Sequence, residues 1–336
     1  MSLLTIFIPT YNRCNLLDDS LSIIVDEWNG LDSDLKSKIE IVISNNCSND
    51  DTEEVVKKYQ EICPIIKYNL NKLNLGAEAN IELGVQFTSH RYLWILGDDD
   101  HLERGALKVI TNELIKDFPC IILNYSVWDA KMEKKRKRKK FNINKDRNLS
   151  SDGVMKVFGP HLGFISMSVI DIEVLKLGFG KCQNTPLITP GWPLLAGVYC
   201  GLKHTKSCSK FLHMPILRNR SGNTHLTNWD EIFVDGFWRI FSEHGGLKYR
   251  RSDLRAARAL VVKDFIFWRI IYQIFLAPFD EKTLRYTELR LKFGDTAMFW
   301  VMVFPLLFIG RTWPIALIVK TVLPLYYHLK QALRTK

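Results

Sequence analysis

Three adjacent aspartates provide the strongest chemical signal in the sequence. The segment Gly97-Asp98-Asp99-Asp100 directly follows the apolar run Tyr92 to Leu96. Neighbouring carboxylates repel one another, so a fold that keeps the three together needs a cation to offset their charge. Their oxygens suit Mg²⁺ or Mn²⁺, and such an ion in turn holds a diphosphate. An acidic turn that caps a following helix is the alternative, and this segment alone leaves both open.

Two earlier apolar runs also end in polar segments. Leu3 to Pro9 precedes Thr10-Tyr11-Asn12-Arg13, and Ile39 to Ser44 precedes the polar segment 45–50. Stretches with helical spacing of apolar residues lie between these runs, and strand–helix alternation of this kind predicts a parallel α/β sheet. Ligands collect at the carboxyl ends of the strands in such sheets. We therefore expect the three polar segments to form one site.

Four segments, taken in order, resemble a known family. They are TIFIPTYNR (5–13), IEIVISNNCSND (39–50), NLGAEAN (74–80) and YLWILGDDD (92–100). Together they resemble the family 2 glycosyltransferases of the GT-A fold, an α/β fold with a Rossmann-like, mostly parallel sheet. Within that family they look most like O-antigen transferases such as abequosyltransferases. The likeness is specific over about residues 1–105 and weaker to about 225.

The resemblance implies a nucleotide-sugar donor and a divalent cation, Mn²⁺ or Mg²⁺. The metal ligands it implies are Asp98, Asp99 and Asp100. Arg220 lies in an R-x-x-N stretch similar to that of related O-antigen transferases, and it is a candidate for holding a diphosphate; a surface arginine is the alternative. The implied donor-binding residues come from all four segments: Pro9, Thr10, Tyr11, Arg13, Asn45, Asn46, Asn74, Gly76, Asn80 and Asp98.

The sequence departs from the family pattern at two places. Asn45 replaces the usual acid at the end of the second strand; because an amide both donates and accepts, the donor base stays open between UDP, CDP and others. The stretch in which inverting members usually supply a catalytic carboxylate reads NTPLITPGWPLL (184–195) and contains no acid. We therefore expect the proton acceptor to be His161 or Asp230, although a structural role is an alternative for each.

The charge distribution predicts an anionic partner. The net charge is +10, and residues 131–140 read KMEKKRKRKK, which predicts an exposed loop or hairpin. No nucleic-acid-binding motif accompanies this run, so anionic membrane lipid is the expected partner and nucleic acid is not. The aromatic C-terminal segment from Ala297 is too short and too often broken by proline to span a bilayer, and it is expected to lie in the interface or to form a helical cap.

The cysteines and the N-terminus predict a cytosolic setting. Seven cysteines without a C-x-x-C pair argue against a zinc ribbon or a disulfide framework and favour a reducing compartment. Met1 to Pro9 is typical of a strand and not of a signal peptide. The protein is therefore expected at the cytoplasmic face of the plasma membrane, as a peripheral protein.

These observations predict a GT-A domain over residues 1–225 and a helical, membrane-associating region over 226–336. The expected reaction moves a sugar, with inversion, from a nucleotide diphosphate sugar to a polyprenyl-diphosphate-linked saccharide, as in O-antigen or other surface polysaccharide assembly. A nucleotidyltransferase is one alternative, although PTYNRCNLL lacks the glycine-rich loop expected after the first strand. A membrane-bound module that binds a nucleotide sugar without transferring it is the other.

Overall fold

The computed structural model describes residues 3–137, 139–182, 192–221, 230–242, 247–275 and 286–311. They belong to two compact units. The first unit contains the described residues up to 154 and those from 161 to 221, and the second contains 155–160 and the described residues from 230 onward. The predicted boundary at 225/226 lies outside the described residues.

The first unit is built on one mixed sheet, with helices connecting its strands. The strands are β1 (Leu4–Thr10), β2 (Ile39–Asn45), β3 (Ile66–Leu70), β4 (Tyr92–Ile95), β5 (His101–Leu102), β6 (Cys120–Trp128), β7 (Lys135–Lys137), β8 (Arg147–Leu149), β9 (Ser168–Asp171) and β10 (Ser209–Arg220). The α-helices are α1 (Cys14–Asn29), α2 (Ser33–Lys36), α3 (Thr52–Ile62), α4 (Ala77–Phe87), α5 (Ala106–Leu114), α7 (Ile172–Cys182) and α8 (Pro193–Lys203), whereas α6 (Ser151–Phe158) contains a boundary between the units.

The strands of this sheet lie in the order β3-β2-β1-β4-β9-β6-β10-β5. β3, β2, β1 and β4 are parallel, and β10 is parallel to β6. β9 is antiparallel to both of its neighbours, β4 and β6. The carboxyl ends of β2, β1 and β4 and the amino end of β9 therefore meet at one edge of the sheet. The predicted mostly parallel α/β sheet is confirmed.

The parallel strands β1, β2 and β4 form because most of their residues are apolar on both faces. Every residue of β2 and β4 is buried, and so are all but one of β1. Continuous Ile, Val and Leu runs of this kind are typical of strands covered by helices on both sides. α1, α3 and α4 pack on these strands or on one another and complete the core.

One aspartate fixes the starts of two helices beside the carboxyl edge. The Asp50 carboxylate accepts hydrogen bonds from the Cys14 backbone amide, 2.9 Å, and from Thr52 Oγ1, 2.5 Å. Burial raises the pKa of Asp50, but the hydrogen bonds from Thr52 and Cys14 outweigh that effect and lower it. A carboxylate at two helix N-termini also interacts favourably with both helix dipoles. Asp50 thus holds the loops after β1 and β2 together.

The second unit is helical over its described residues. Its helices after α6 are α9 (Phe237–Phe241), α10 (Arg251–Val261), α11 (Phe267–Phe275), α12 (Tyr286–Phe293) and α13 (Phe304–Arg311), with π-helical turns at Asp230–Gly236, Val262–Ile266 and Phe299–Val303. Within the described ranges, the structure contains no helix with the length and apolar composition needed to cross a bilayer. Several large apolar side chains are exposed, among them Leu291 at 81% and Val301 at 73%.

Two cysteines form a disulfide, although the sequence argued against a disulfide framework. Cys182 at the end of α7 is bonded to Cys200 in α8. The two helices approach closely because glycines face each other: a Cβ on Gly178 would lie 1.9 Å from the Gly197 carbonyl oxygen. The sequence did not predict this pair because the helix–helix approach, and not a short spacing motif, brings the two cysteines together.

The predicted basic hairpin is present. All three residues of β7 are exposed, and the strand pairs antiparallel with β6 through Val127 and Trp128. The Lys135 ammonium lies 4.9 Å from the centre of the Trp128 ring, an arrangement that favours a cation–π interaction. Arg138 of this run lies outside the described residues.

Candidate active site

A cleft of about 400 Å³ lies at the carboxyl edge of the first unit's sheet. The polar segments after β1, β2 and β4 meet there, as the sheet order requires. Its lining consists of Pro9, Thr10, Tyr11, Arg13, Asn46, Asn74, Gly76, Ala77, Asn80, Ile81, Gly97, Asp98, Asp99, Asp100, Phe164 and Ile165. Nine of the eleven residues predicted to bind the donor line this cleft; Asn45 and Arg220 do not.

The loops after β1 and β4 are joined through Asp98. Thr10 Oγ1 donates to one Asp98 oxygen at 2.8 Å, and the Arg13 guanidinium donates to the other at 2.9 Å. The same guanidinium lies 3.5 Å from Asp99. Burial raises the pKa of Asp98 to about 6; Arg13 opposes this shift and Asp99 adds to it. Among the described residues that line the cleft, Arg13 is the only one with a cationic side chain.

Asp100 is held by partners from two later segments of the chain. Its carboxylate accepts hydrogen bonds from Ser166 Oγ at 2.6 Å and from Asn219 Nδ2 at 3.2 Å. Burial and the neighbouring Asp99 raise the pKa of Asp100. Gly97 allows the crowding, because a Cβ there would lie 3.0 Å from the Asp100 carboxylate and 3.2 Å from that of Asp99. Asp100 therefore faces Ser166 and Asn219, whereas Asp98 faces Thr10 and Arg13.

An amide network shapes the side of the cleft beside β2. Asn46 Nδ2 donates to Asn74 Oδ1 at 2.8 Å and to the Gly76 carbonyl at 3.2 Å. Asn80 Nδ2 donates to the Ser44 carbonyl at 3.1 Å, and its Oδ1 accepts from the Ser44 hydroxyl at 2.7 Å. Most of these groups thus hold the loop before α4 in place and fix the wall that a ligand would meet.

Asn45 and Arg220 lie behind the cleft wall. Asn45 is buried; its Nδ2 donates to the Tyr68 hydroxyl and its Oδ1 accepts from the Ser48 amide, each at 2.8 Å. Arg220 is also buried, and its guanidinium donates to the Asp99 and Ala130 carbonyls at 3.2 and 2.9 Å. In this geometry both act on the position of the loops, and neither is presented to a ligand in the cleft.

The two candidates for the catalytic base are not among the lining residues. His161 is buried, and the Phe141 ring meets its imidazole edge-on at 5.3 Å. Asp230 begins the π-helical turn Asp230–Gly236, and its side chain lies outside the described part of the structure. The structure thus does not place His161 in the cleft, and it leaves Asp230 untested; the stretch 184–191 also lies outside the described residues.

Four apolar lining residues were not predicted from the sequence: Ala77, Ile81, Phe164 and Ile165. Phe164 precedes the 3₁₀ turn Ile165–Met167 that leads into β9, and Ser166 within this turn accepts a hydrogen bond from the Gly97 amide at 2.9 Å. Phe164 and Ile165 are the two lining residues from this region. They come from a segment about 65 residues beyond the acidic triplet, so only the antiparallel pairing of β9 with β4 reveals that they share its cleft. No local signal in GPHLGFIS identified them.

A mostly parallel α/β sheet with an acidic, arginine-containing cleft at its carboxyl edge is the arrangement of a GT-A-like fold. The model of the family Glycosyl transferase family 2 matches residues 5–172, half of the chain. The chain belongs to this family. The resemblance inferred from the four segments is thereby confirmed.

Similar proteins include an abequosyltransferase and a glucosyltransferase. The abequosyltransferase RfbV of Salmonella typhimurium is 35% identical over 114 residues, which are 33% of this chain and 32% of that protein. The GalNAc(5)-diNAcBac-PP-undecaprenol beta-1,3-glucosyltransferase of Campylobacter jejuni is 34% identical over 125 residues, 37% of this chain and 38% of that protein. The match thus spans only about a third of the length of each relative.

A solved structure supports the fold over nearly the whole chain. Residues 1–349 of TarS from S. aureus align with a TM-score of 0.63 at 12% identity, covering 97% of this chain and 91% of that one. The same fragment in complex with UDP-GlcNAc aligns with a TM-score of 0.62 at 12% identity, covering 97% and 92%. The fold is therefore GT-A-like, with helices at the C-terminal side.

Proposed function

We propose that the protein is an inverting glycosyltransferase that moves a sugar from a nucleotide diphosphate sugar to a lipid-linked saccharide in surface polysaccharide assembly. The observation that carries the proposal is the cleft: it unites the ends of β1, β2 and β4 and contains Arg13 beside Asp98 and Asp99. Family membership supports the transferase chemistry. The relative from Campylobacter jejuni supports the lipid-linked acceptor, since undecaprenol diphosphate is part of its name.

The cleft has the size and charge pattern that a nucleotide diphosphate needs. A volume of about 400 Å³ lies within the range of small-molecule sites. The Arg13 guanidinium is planar and offers paired donors to phosphate oxygens. The amide network of Asn46 and Asn74 holds the loop that forms the wall on the β2 side, where the nucleoside would lie. Arg13 would hold the phosphates, and a divalent cation would offset the charge of Asp98 and Asp99.

The residues in the cleft fit a divalent cation. Asp98 and Asp99 both approach one cationic group, the Arg13 guanidinium, and their oxygens are hard ligands that suit Mg²⁺ or Mn²⁺. No group of three or more His, Cys, Asp or Glu side chains is arranged to hold an ion among the residues that the structure describes. We therefore propose Asp98 and Asp99 as ligands, with Asp100 bound to Ser166 and Asn219 behind them. When bound, the cation neutralises the charge of the departing diphosphate.

The proposed reaction is a direct displacement. An acceptor hydroxyl oxygen bonds to the anomeric carbon, the bond from that carbon to the diphosphate oxygen breaks, and its electron pair leaves with the diphosphate. The hydroxyl proton passes to a base, for which His161 and Asp230 remain the candidates in this chain. Attack opposite the leaving group inverts the anomeric configuration. Arg13 contributes by holding the diphosphate as charge develops on it.

We place the protein at the cytoplasmic face of the plasma membrane, as a peripheral protein. The exposed apolar residues of the second unit and the exposed basic strand β7 support contact with anionic lipid. The disulfide between Cys182 and Cys200 weighs against a reducing compartment. Trapping free thiols in intact cells with a membrane-permeable alkylating reagent would test the location: a cytoplasmic chain should show both cysteines alkylated.

The function is tested by incubating the purified protein with a panel of nucleotide sugars and measuring released nucleoside diphosphate. We expect release from one donor class with Mn²⁺ or Mg²⁺, faster when a lipid-linked saccharide is added, and little release with EDTA. Incorporation of a nucleotide into the acceptor would indicate the nucleotidyltransferase alternative. Tight donor binding without release or transfer, with every acceptor tried, would indicate the binding module, which the missing acid in 184–195 favours.

A further inference from the structure

The basic hairpin, residues 129–137, lies at the same edge of the sheet as the cleft. β9 is antiparallel to both β4 and β6, so β4 and β6 run in the same direction and their carboxyl ends face the same side. Asp98 follows the end of β4, and the hairpin follows the end of β6, which is separated from β4 by β9 alone. The fold thus places a basic surface beside the acidic cleft.

One guanidinium joins the base of the hairpin to the acidic loop. The buried Arg220 donates to the Ala130 carbonyl at 2.9 Å and to the Asp99 carbonyl at 3.2 Å. The Ser221 amide donates to the Trp128 carbonyl at 3.0 Å. The base of the hairpin is therefore fixed relative to Asp99, one of the two proposed metal ligands.

Trp128 and Glu103 orient the cations nearest to the cleft. The Lys135 ammonium lies 4.9 Å and the Arg218 guanidinium 5.4 Å from the centre of the Trp128 ring. The Glu103 carboxylate lies 2.9 Å from Arg218 and 4.0 Å from Lys135. Glu103 therefore offsets the charge of Arg218, which lies on β10, and approaches only one cation of the hairpin.

The hairpin itself has a large excess of positive charge at its surface. Residues 131–137 read KMEKKRK, with five cationic side chains and one acidic side chain. All five cationic residues are exposed: Lys131, Lys134, Lys135, Arg136 and Lys137. A surface of this kind fits a group with several phosphate oxygens, which lysine binds as a point charge and arginine in paired hydrogen bonds.

Two sources could supply such a group, the headgroups of an anionic bilayer and the diphosphate of the lipid-linked acceptor. A bilayer is attracted by cations at any exposed position of the protein. The cations of the hairpin are instead held beside the cleft through Arg220 and Glu103. An acceptor with its diphosphate on the hairpin could extend its saccharide over the short distance to the cleft, so the location favours the acceptor.

We propose that the basic hairpin binds the diphosphate of the lipid-linked acceptor while the cleft holds the donor. The proposal rests on the proposed function and names the part of the acceptor that is recognised. The two diphosphates are bound by different cations, that of the donor by Arg13 and that of the acceptor by Lys135, Arg136 and Lys137. Donor and acceptor therefore bind without competing for one site.

The test uses geranyl diphosphate, a water-soluble prenyl diphosphate without a saccharide, and the full chain. The cleft is first saturated with the preferred nucleoside diphosphate in Mg²⁺, so that only a second site can respond. Calorimetric titration is expected to show binding of geranyl diphosphate under these conditions. The combined changes Lys135→Gln, Arg136→Gln and Lys137→Gln should weaken this binding by about 10-fold or more, because charge-assisted hydrogen bonds to phosphate are strong.

A second triple variant controls for the loss of charge. Lys57→Gln, Lys116→Gln and Lys176→Gln together remove three exposed cations elsewhere in the first unit, and they should leave the binding of geranyl diphosphate unchanged. Both triple variants should bind the nucleoside diphosphate like the natural protein. Sedimentation with phosphatidylglycerol vesicles separates the two phosphate sources, and the hairpin variant is expected to keep most of its vesicle binding.

Displacement of geranyl diphosphate by the nucleoside diphosphate would place it in the cleft and overturn the inference, even if neither variant folds. Equal binding of geranyl diphosphate by the natural protein and the hairpin variant would also overturn it; if vesicle binding were lost at the same time, the cations would serve the bilayer. The proposed function survives these results, because the nucleoside diphosphate still binds. If no nucleoside diphosphate bound at all, the proposed function itself would fail, and this inference with it.

Discussion

Arg13 is the cationic side chain that faces two carboxylates in the cleft. It lies 2.9 Å from Asp98 and 3.5 Å from Asp99. We expect Arg13→Ala to weaken nucleoside diphosphate binding by about 10-fold or more, since hydrogen bonds to charged groups contribute about 1.5–3 kcal/mol. Removing the cation should also raise the pKa of Asp98 further.

Calorimetric titration with the preferred diphosphate measures this effect. Arg104→Ala is the matched control, since Arg104 is exposed and is not among the residues that line the cleft. Equal affinities for the two variants would remove Arg13 from the diphosphate site.

The sequence identified single residues well where a motif directly follows a strand. Thr10, Arg13 and Asp98 all line the cleft for this reason. It could not give the direction of a side chain: Asn45 also ends a strand, yet its amide bonds to Tyr68 and Ser48. Arg220 likewise ends β10 and turns to backbone carbonyls. These contacts depend on how the loops pack, and the spacing of residues in the sequence does not specify them.

Gly76 sets the start of α4, where it is the N-cap residue. Its backbone has φ 84° and ψ 162°, a region that side chains rarely allow. A Cβ on Gly76 would meet no atom within 4 Å, so a substitution there would cost backbone strain and no steric clash. We expect Gly76→Ala to lower the free energy of unfolding by about 1–3 kcal/mol.

Gly180→Ala is a matched control for this prediction. A Cβ there also meets no atom within 4 Å, but Gly180 lies within α7 and does not have a positive φ. Alanine in a helix should be neutral or stabilising. Urea denaturation measures the free energy of unfolding of both variants. Equal values for Gly76→Ala and Gly180→Ala would show that the turn before α4 adapts without strain.

Glu40 links three strands at the edge opposite the cleft. The buried carboxylate, at the start of β2, accepts hydrogen bonds from Thr5 at 2.6 Å, Lys67 at 2.5 Å and Ser89 at 2.7 Å. Burial raises the pKa of Glu40, but these hydrogen bonds outweigh it and lower the pKa to about 2 from the ordinary 4.5. The stabilisation is therefore full above about pH 4.5 and is lost as the pH falls towards 2.

We expect Glu40→Gln to reduce the free energy of unfolding by about 3 kcal/mol at most at neutral pH, and by much less at pH 3. Urea denaturation at both pH values measures the difference in the free energy of unfolding between the natural protein and Glu40→Gln. Glu53→Gln, which changes an exposed ion pair, is the control. A difference that stayed the same at both pH values would contradict the assigned partners of Glu40.

Elements were predictable where the apolar pattern is local, and contacts between distant elements were not. The buried runs of β1, β2 and β4 gave the parallel half of the sheet. The antiparallel β9, which brings Phe164 and Ile165 to the cleft, follows from pairing across about 75 residues and left no local pattern. The disulfide between α7 and α8 depends on the same kind of contact.

At the scale of the whole molecule, the exposed apolar residues of the second unit predict membrane attachment. Leu291, Trp300 and Val301 are exposed, whereas Phe299 and Val303 between and beside them are fully buried. The triple change of the three exposed residues to serine should therefore keep the fold and weaken sedimentation with phosphatidylglycerol vesicles by about 10-fold. Leu177→Ser, at an exposed position of the first unit, is the control.

The basic strand gives the competing account of attachment. Changing Lys135, Arg136 and Lys137 to glutamine removes three charges, each worth about 1 kcal/mol at an anionic surface. Full loss of vesicle binding in this variant, together with unchanged binding in the triple serine variant, would move the anchor to the hairpin. The aromatic residues beyond 311 lie outside the described part of the structure and are left intact in both variants.

The central claim is that the cleft holds a nucleotide sugar through a metal at the end of β4, and its most direct measurement is donor binding as a function of Mn²⁺. The natural protein, Asp99→Asn and the control Asp34→Asn, at an exposed position, are each titrated with the preferred donor in Mn²⁺ and in EDTA. We predict that Mn²⁺ strengthens binding at least 10-fold in the natural protein and in Asp34→Asn, and that Asp99→Asn loses this gain. Equal binding by all three proteins in Mn²⁺ and in EDTA would contradict the account.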